Sequence, residues 1–144
     1  MAKSFQFRME KVLDVRRLQE KSAQREFSAA QQAVAERNRI ILELMNREDD
    51  ARRELRTLQE GAVDVARLRM AGEFAASLER RLQKEYEALQ AQVLVEMQKR
   101  QQLTEARKGV RVLEKLREKQ ARTHRQGFDR EERNFLDELG RRTA

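Results

Sequence analysis

The amino-acid sequence predicts an all-α protein, a long antiparallel coiled-coil hairpin made of two helices. The 144 residues contain no proline, so nothing in the covalent chain forces a long helix to end. Charged residues make up 40% of the sequence, against about 25% in ordinary globular domains. Apolar residues make up only 39% and recur every seven residues along two segments that one turn separates. This composition provides too little apolar surface for a globular core, whereas two helices that share a narrow seam need less apolar surface.

The first helix is predicted over about residues 4–60. Its heptad a and d positions are apolar in 11 of 15 cases, where the overall composition would give about 6. A heptad repeat sustained over this length indicates a coiled-coil seam and not one face of a globular helix. The a positions are Leu13, Glu20, Phe27, Val34, Ile41, Glu48 and Leu55, and the d positions are Met9, Arg16, Ala23, Ala30, Arg37, Leu44, Ala51 and Leu58.

A turn is predicted at residues 61–64, within the stretch QEGAVDVARL. Gly61 suits the left-handed residue that ends a helix. Asp64 can cap the next helix by accepting hydrogen bonds from its first N–H groups, and Val63 and Leu68 have the spacing of a hydrophobic staple. Helices joined by so short a turn run antiparallel, which brings Leu13 near Leu113.

The second helix is predicted over about residues 65–126, followed by a C-terminal helical extension at 127–140. All of it is assigned to one coiled-coil domain, residues 1–144. Heptad positions are apolar in 10 of 14 cases. Tyr86, Val93 and Met97 flank a weak stretch near residues 85–100, which predicts a local phase slip of the seam. The two series are Leu68, Ala75, Leu82, Leu89, Glu96, Leu103, Val110 and Ala71, Leu78, Glu85, Gln92, Lys99, Ala106, Leu113.

The residue types present argue against an enzyme. One histidine and no cysteine cannot build the usual zinc sites, and the sequence has neither a glycine-rich phosphate loop nor a nucleophile motif. No catalytic residue, metal, cofactor or small-molecule substrate is therefore predicted. No stretch has the roughly 20 apolar residues of a membrane span, and the N-terminus lacks a signal-peptide core, so a cytoplasmic protein is expected.

The net charge of +7 is concentrated in residues 99–125, which carry 10 basic and 3 acidic side chains. Three interpretations are open: a solvated helix face that pairs with acids of the first helix, a surface for an acidic protein, or a surface for nucleic acid. Glutamate and glutamine interrupt the block and no aromatic residues are interleaved for base stacking, which argues against nucleic acid as the partner.

The beginning of the chain has a broad apolar stripe. Phe5, Met9, Val12 and Val15 lie on or near one face of a helix. They either pack on Leu113, Leu116 and the C-terminal extension or are offered to a partner protein.

A second apolar group is expected near the turn. Leu44, Met45, Phe74 and Leu78 are large and come close together in the hairpin. Their packing in the seam and their use as a docking surface for a partner are equally compatible with the sequence.

Three segments resemble the FliJ family of flagellar type III export proteins. They are FQFRMEKVLDVRRLQE at residues 5–20, VRVLEKLREKQ at 110–120 and the acidic tail EERNFLDELG at 131–140. The resemblance spans nearly the whole chain, including the hairpin length and the central turn. Two terminal motifs at the expected separation are more specific than general coiled-coil similarity.

The resemblance implies a stalk and adaptor in flagellar protein export. Members resemble the stalk coiled coil of rotary ATPases, and their paired termini are thought to enter the ring of the hexameric export ATPase. The end with the bend contacts the membrane export-gate protein, and members escort export chaperones at the flagellar base. The equivalent stalk of a virulence-type secretion system is the nearest alternative, and a basic coiled-coil nucleic-acid binder is a more distant one. The implied ATPase-binding residues are Phe5, Phe7, Arg8, Lys11, Arg16, Arg17, Arg111, Lys115, Arg117 and Lys119, and the implied export-gate residues are Leu44, Phe74 and Leu78.

Overall fold

A computed structural model describes residues 4–143, which form two α-helices. Helix α1 spans Glu10–Leu58 and helix α2 spans Val65–Thr143, and the described residues contain no β-strand. The two helices pair with opposite chain directions, since residues late in α2 contact residues early in α1. The predicted fold class, two antiparallel helices, is confirmed.

The chain divides into two compact units. Unit 1 contains the described residues up to Gln24 and those from Gln102 onward, and unit 2 contains Arg25–Gln101, including the turn. By sequence, the segments of unit 1 carry 18 basic and 11 acidic side chains, whereas those of unit 2 carry 14 of each. The entire net charge of +7 therefore belongs to the unit that contains both ends of the chain.

With the exception of Phe7, the buried hydrophobic residues of the described chain all lie at predicted heptad positions. In α2, all fourteen are buried or half-buried, from Leu68 to Leu113. In the first helical segment, thirteen of the fifteen are buried or half-buried, and the exceptions are Met9 and Arg16. A narrow stripe with this period is what a two-helix seam requires.

The predicted phase slip near residues 85–100 is wrong. Tyr86, Val93 and Met97 are exposed, and the seam continues through polar side chains such as Glu85 and Gln92. Those polar groups have partners on α1, so the register does not have to shift to keep apolar residues inside.

The turn between the helices has the predicted backbone conformation at Gly61 and the predicted helix cap at Asp64. Gly61 has a φ of +74°, the left-handed conformation that favours glycine. The Asp64 side chain accepts hydrogen bonds from the backbone N–H groups of Ala66 and Arg67 at 3.1 and 3.4 Å, so it caps α2.

Helix α1 begins later than the predicted residue 4. Residues 4–7 are not helical, and the Glu10 N–H donates to the Phe7 carbonyl at 3.1 Å. In the heptad register of α1, a helical Phe7 would occupy the outer b position and face solvent. Leaving the helix lets the chain bury Phe7, which is 7% exposed.

The C-terminal end of α2 has no covering element in the described chain. The helix runs through Gly127 to Thr143 without a break, so the segment predicted as an extension is continuous with the second helix. Every described residue from Arg122 onward is exposed.

Candidate protein-binding surfaces

The N-terminal segment and α2 meet in an apolar cluster in unit 1. Leu13 is fully buried, and Phe7, Val110 and Leu113 are buried around it. Phe5 packs against this cluster, and its ring lies 5.8 Å from that of His124. Phe5 and Phe7, predicted as ATPase-binding residues, therefore serve first to hold the N-terminal segment on α2.

Part of the basic block is used within unit 1. Arg117 Nε lies 3.0 Å from a Glu10 carboxylate oxygen, and Arg107 Nε lies 3.9 Å from a carboxylate oxygen of Glu20. These residues of the block pair with acids of the first helix, which is one of the three interpretations that the sequence leaves open. The reverse arrangement also occurs, since Arg17 of α1 lies 3.4 Å from Glu114 of α2.

The other predicted basic residues face outward without a counter-ion. Arg8, Lys11, Arg16, Arg111, Lys115 and Lys119 are all exposed and form no ion pair with the described residues. On α2, Arg111, Lys115, Lys119 and Arg122 follow one another at helical spacing and form what we call the outer basic stripe. Free, neighbouring cations on a helix surface are suited to an acidic protein surface.

The predicted export-gate residues lie in two different environments in unit 2. Leu44 and Leu78 are 2% and 4% exposed and belong to the apolar core together with Leu82. Phe74 is 53% exposed, and Met70, one helical turn before it, is also exposed. Leu44 and Leu78 support the seam, and Phe74 is the one predicted gate residue that a partner can reach.

A polar stretch of the seam in unit 2 is a feature that the sequence reading did not identify. Arg37 lies between the helices, forms an ion pair with Glu85 and donates from Nε to Gln92 at 3.2 Å. Further along, Lys99 contacts Glu26 at 3.2 Å. The available signal was the opposite charge of Arg37 and Glu85, which occupy heptad positions on facing helices.

Surface pairs on α1 add local support. Arg39 donates to both carboxylate oxygens of Glu36 and to Glu43 at 2.6 Å. The hydrogen bond from Arg39 lowers the pKa of the Glu36 carboxyl, and the same contact raises the pKa of Arg39. All three groups are well exposed, so they contribute little to stability.

No cluster of potential metal ligands was found among residues 4–143. No helix in the same part of the chain is long and apolar enough to cross a membrane. Unit 1 also has open grooves, one between the helices and one beside the N-terminal segment. Open grooves suit macromolecular partners better than small ligands.

Comparison with known proteins gives one match. The family model described as Flagellar FliJ protein matches residues 5–144, nearly the whole chain. Neither the curated proteins nor the solved structures contain a significant match.

Proposed function

The chain belongs to the FliJ family of flagellar proteins, and on that premise we propose that it is the stalk and adaptor of the flagellar export ATPase. In this role it is a non-catalytic component of protein export. Unit 1 binds the hexameric export ATPase, and unit 2 binds the membrane export-gate protein. The chain would work in the cytoplasm, at the inner face of the membrane at the flagellar base.

The observation that carries the ATPase assignment is the distribution of charge. The segments of unit 1 hold the whole net charge of +7, and the segments of unit 2 sum to zero. Within unit 1, Arg111 and Lys115 of the outer basic stripe have no counter-ion in the described chain. An acidic ring interior would attract this unit and not the other, and charge matching raises the association rate.

Buried contacts give unit 1 the order that such a binding surface needs. The Phe7–Leu13–Leu113 packing fixes the start of the chain against α2, and the Arg117–Glu10 pair lies beside it. Cations presented on an ordered helix lose less conformational entropy on binding than cations on a flexible tail.

The gate assignment depends on Phe74. An aromatic side chain that is 53% exposed on a helix face, next to the exposed Met70, has the character of an anchor for a groove on a partner. Leu44 and Leu78 would act by holding this part of α2 in place. Escort of export chaperones follows from the family alone, and no particular surface is proposed for it.

The test is to mix the chain with its cognate export ATPase and to measure ring formation and ATP hydrolysis. We expect both to rise, and we expect the rise to shrink as salt is added, since screening weakens exposed charges. The double variant Arg111→Glu/Lys115→Glu should lose most of the stimulation. Its matched control is Arg80→Glu/Lys84→Glu, which reverses two exposed charges with the same spacing in unit 2. Equal loss in both variants would contradict the assignment of unit 1.

The gate surface is tested separately. Phe74→Ala should impair motility and binding to the export-gate protein while ATPase stimulation remains intact. Since Phe74 is exposed, helicity should be unchanged. Equal loss of both activities would show that the gate surface has been placed wrongly.

A further inference from the structure

Unit 1 contains an open apolar groove between the helices. Val12, Ala106, Gly109 and Val112 line it, and Val112 is 65% exposed. The groove has a volume of about 640 Å³. Gly109 contributes no side chain to its floor, and a Cβ at that position would come within ordinary contact distance, 3.8 Å, of Arg16 Cδ. An apolar floor of this kind, between two helices, fits a third helix.

The walls of this groove are mainly basic. Arg16 and Lys108 line it. Glu105 is the one acid that lines it, and Lys108 Nζ lies 3.5 Å from its carboxylate. A fitting occupant would be a helix with an apolar stripe bordered by acidic side chains.

The last part of α2 is a helix of that kind. Phe128, Phe135 and Leu139 share one helical stripe and are 41%, 61% and 43% exposed. Glu131 and Glu138, one heptad apart, border the stripe. Of the four arginines in this segment, those at positions 130, 133 and 141 fall on the opposite face, and Arg142 lies beside the stripe at the end of the segment.

We infer that the C-terminal segment of one chain, residues 126–143, docks into the Val12–Val112 groove of a second copy. It cannot reach its own groove, because both lie on the continuous helix α2. Gly109 and Phe135 are separated by 26 residues, which is about 39 Å of helix. Each chain offers both a groove and a segment, so two chains can exchange segments about a two-fold axis and close as a dimer.

Charge favours this occupant over a lipid surface. Glu131 and Glu138 approach Arg16 and Lys108, the basic side chains that line the groove, whereas an anionic bilayer would repel the same acids. The dimer also covers large apolar side chains that the described chain leaves bare.

The experiment measures the mass of the full chain alone by analytical ultracentrifugation. At roughly 100 µM the wild type should be a dimer, since a micromolar Kd is saturated there. Val112→Glu places a charge in the apolar groove, and Phe135→Glu places a charge in the apolar stripe of the C-terminal segment. Each substitution should weaken dimerisation at least about tenfold. Leu18→Glu is the matched control, because Leu18 is also 65% exposed in unit 1 but does not line the groove.

Mixing the two weakened variants tests the exchange itself. The Phe135→Glu chain keeps an intact groove, and the Val112→Glu chain keeps an intact C-terminal segment. A mixed dimer therefore retains one of the two groove–segment contacts, and we expect it to form when the two variants are mixed. A wild type that stays monomeric would overturn the inference. So would a dimer that Val112→Glu leaves intact, because the segments would then pair with each other, or one that Leu18→Glu weakens equally. No ATPase is present, so these results are independent of the proposed function.

Discussion

Replacement of Glu85 by glutamine tests how much the polar stretch of the seam contributes to stability. Glu85 and Arg37 form an ion pair between the helices, with side chains 17% and 27% exposed. Glutamine keeps the size of the side chain and one hydrogen-bond acceptor, so the change removes charge without opening a cavity. Arg37 would keep its bond to Gln92.

The expected loss in free energy of unfolding is about 1–2 kcal/mol. A hydrogen bond to a charged group contributes about 1.5–3 kcal/mol when well shielded, and exposed pairs contribute about 0.2–1 kcal/mol. The pair in the seam lies between these limits, because it is mostly but not fully removed from solvent. Urea denaturation followed by circular dichroism measures the loss, and the slope of the transition should not change.

Glu36→Gln is the matched control. Glu36 pairs with Arg39 at 2.6 Å, but both side chains are more than half exposed. Its removal should change stability by no more than the experimental error, and added salt should abolish any remaining difference. Equal effects of the two substitutions on stability, or no effect of Glu85→Gln, would refute the reasoning that the seam pair stabilises the fold because it is shielded from solvent.

Two further pairs of substitutions test the packing and the turn. Leu13→Ala should lower the free energy of unfolding by about 2–5 kcal/mol, because Leu13 is fully buried, while Leu18→Ala, at a side chain 65% exposed, should change it little in the same urea titration. Gly61→Ala should lower the free energy of unfolding by about 1 kcal/mol, because φ is +74° at this residue. Gly72→Ala should instead raise the free energy of unfolding by up to about 1 kcal/mol, since Gly72 lies inside α2 with open space around it. Thermal unfolding would show these two changes as opposite shifts in Tm, and shifts of the same sign would contradict the assigned turn geometry.

The seam could be predicted from the sequence because heptad periodicity depends on local residue order. Leu13, Leu44 and Leu82 fall at predicted positions and are buried. The turn was also predictable, since Gly61 and Asp64 act through their own backbone surroundings.

Features that depend on contacts between distant residues were harder to predict. The phase slip near residues 85–100 was expected because polar seam residues look like a break when only one helix is considered. Arg37 on the other helix binds Glu85 and Gln92, so these polar residues can stay in the seam without a shift of register. Likewise, the helix pattern alone places Phe7 outside, and only the cluster around Leu13 explains why the chain turns to bury it.

The sequence predicted which residues belong to the candidate site, but it did not predict which of their side chains are exposed. The sequence grouped Leu44, Phe74 and Leu78 together, and whether such residues pack in the seam or face outward depends on the register of the partner helix. In the structure two of the three are core residues and Phe74 is exposed. The same applies to the basic block, where Arg117 is paired with Glu10 and Lys115 has no counter-ion among the described residues.

The most direct test of the stalk proposal is site-specific cross-linking to the export ATPase. The chain has no cysteine, so one introduced thiol is unique. A photoreactive group attached at Lys115→Cys in unit 1, or at Met70→Cys in unit 2, reports which unit touches the ATPase; both positions are exposed. The proposal predicts cross-links from position 115 and none from position 70. Cross-links from position 70, or none from 115 while the proteins remain bound, would contradict it.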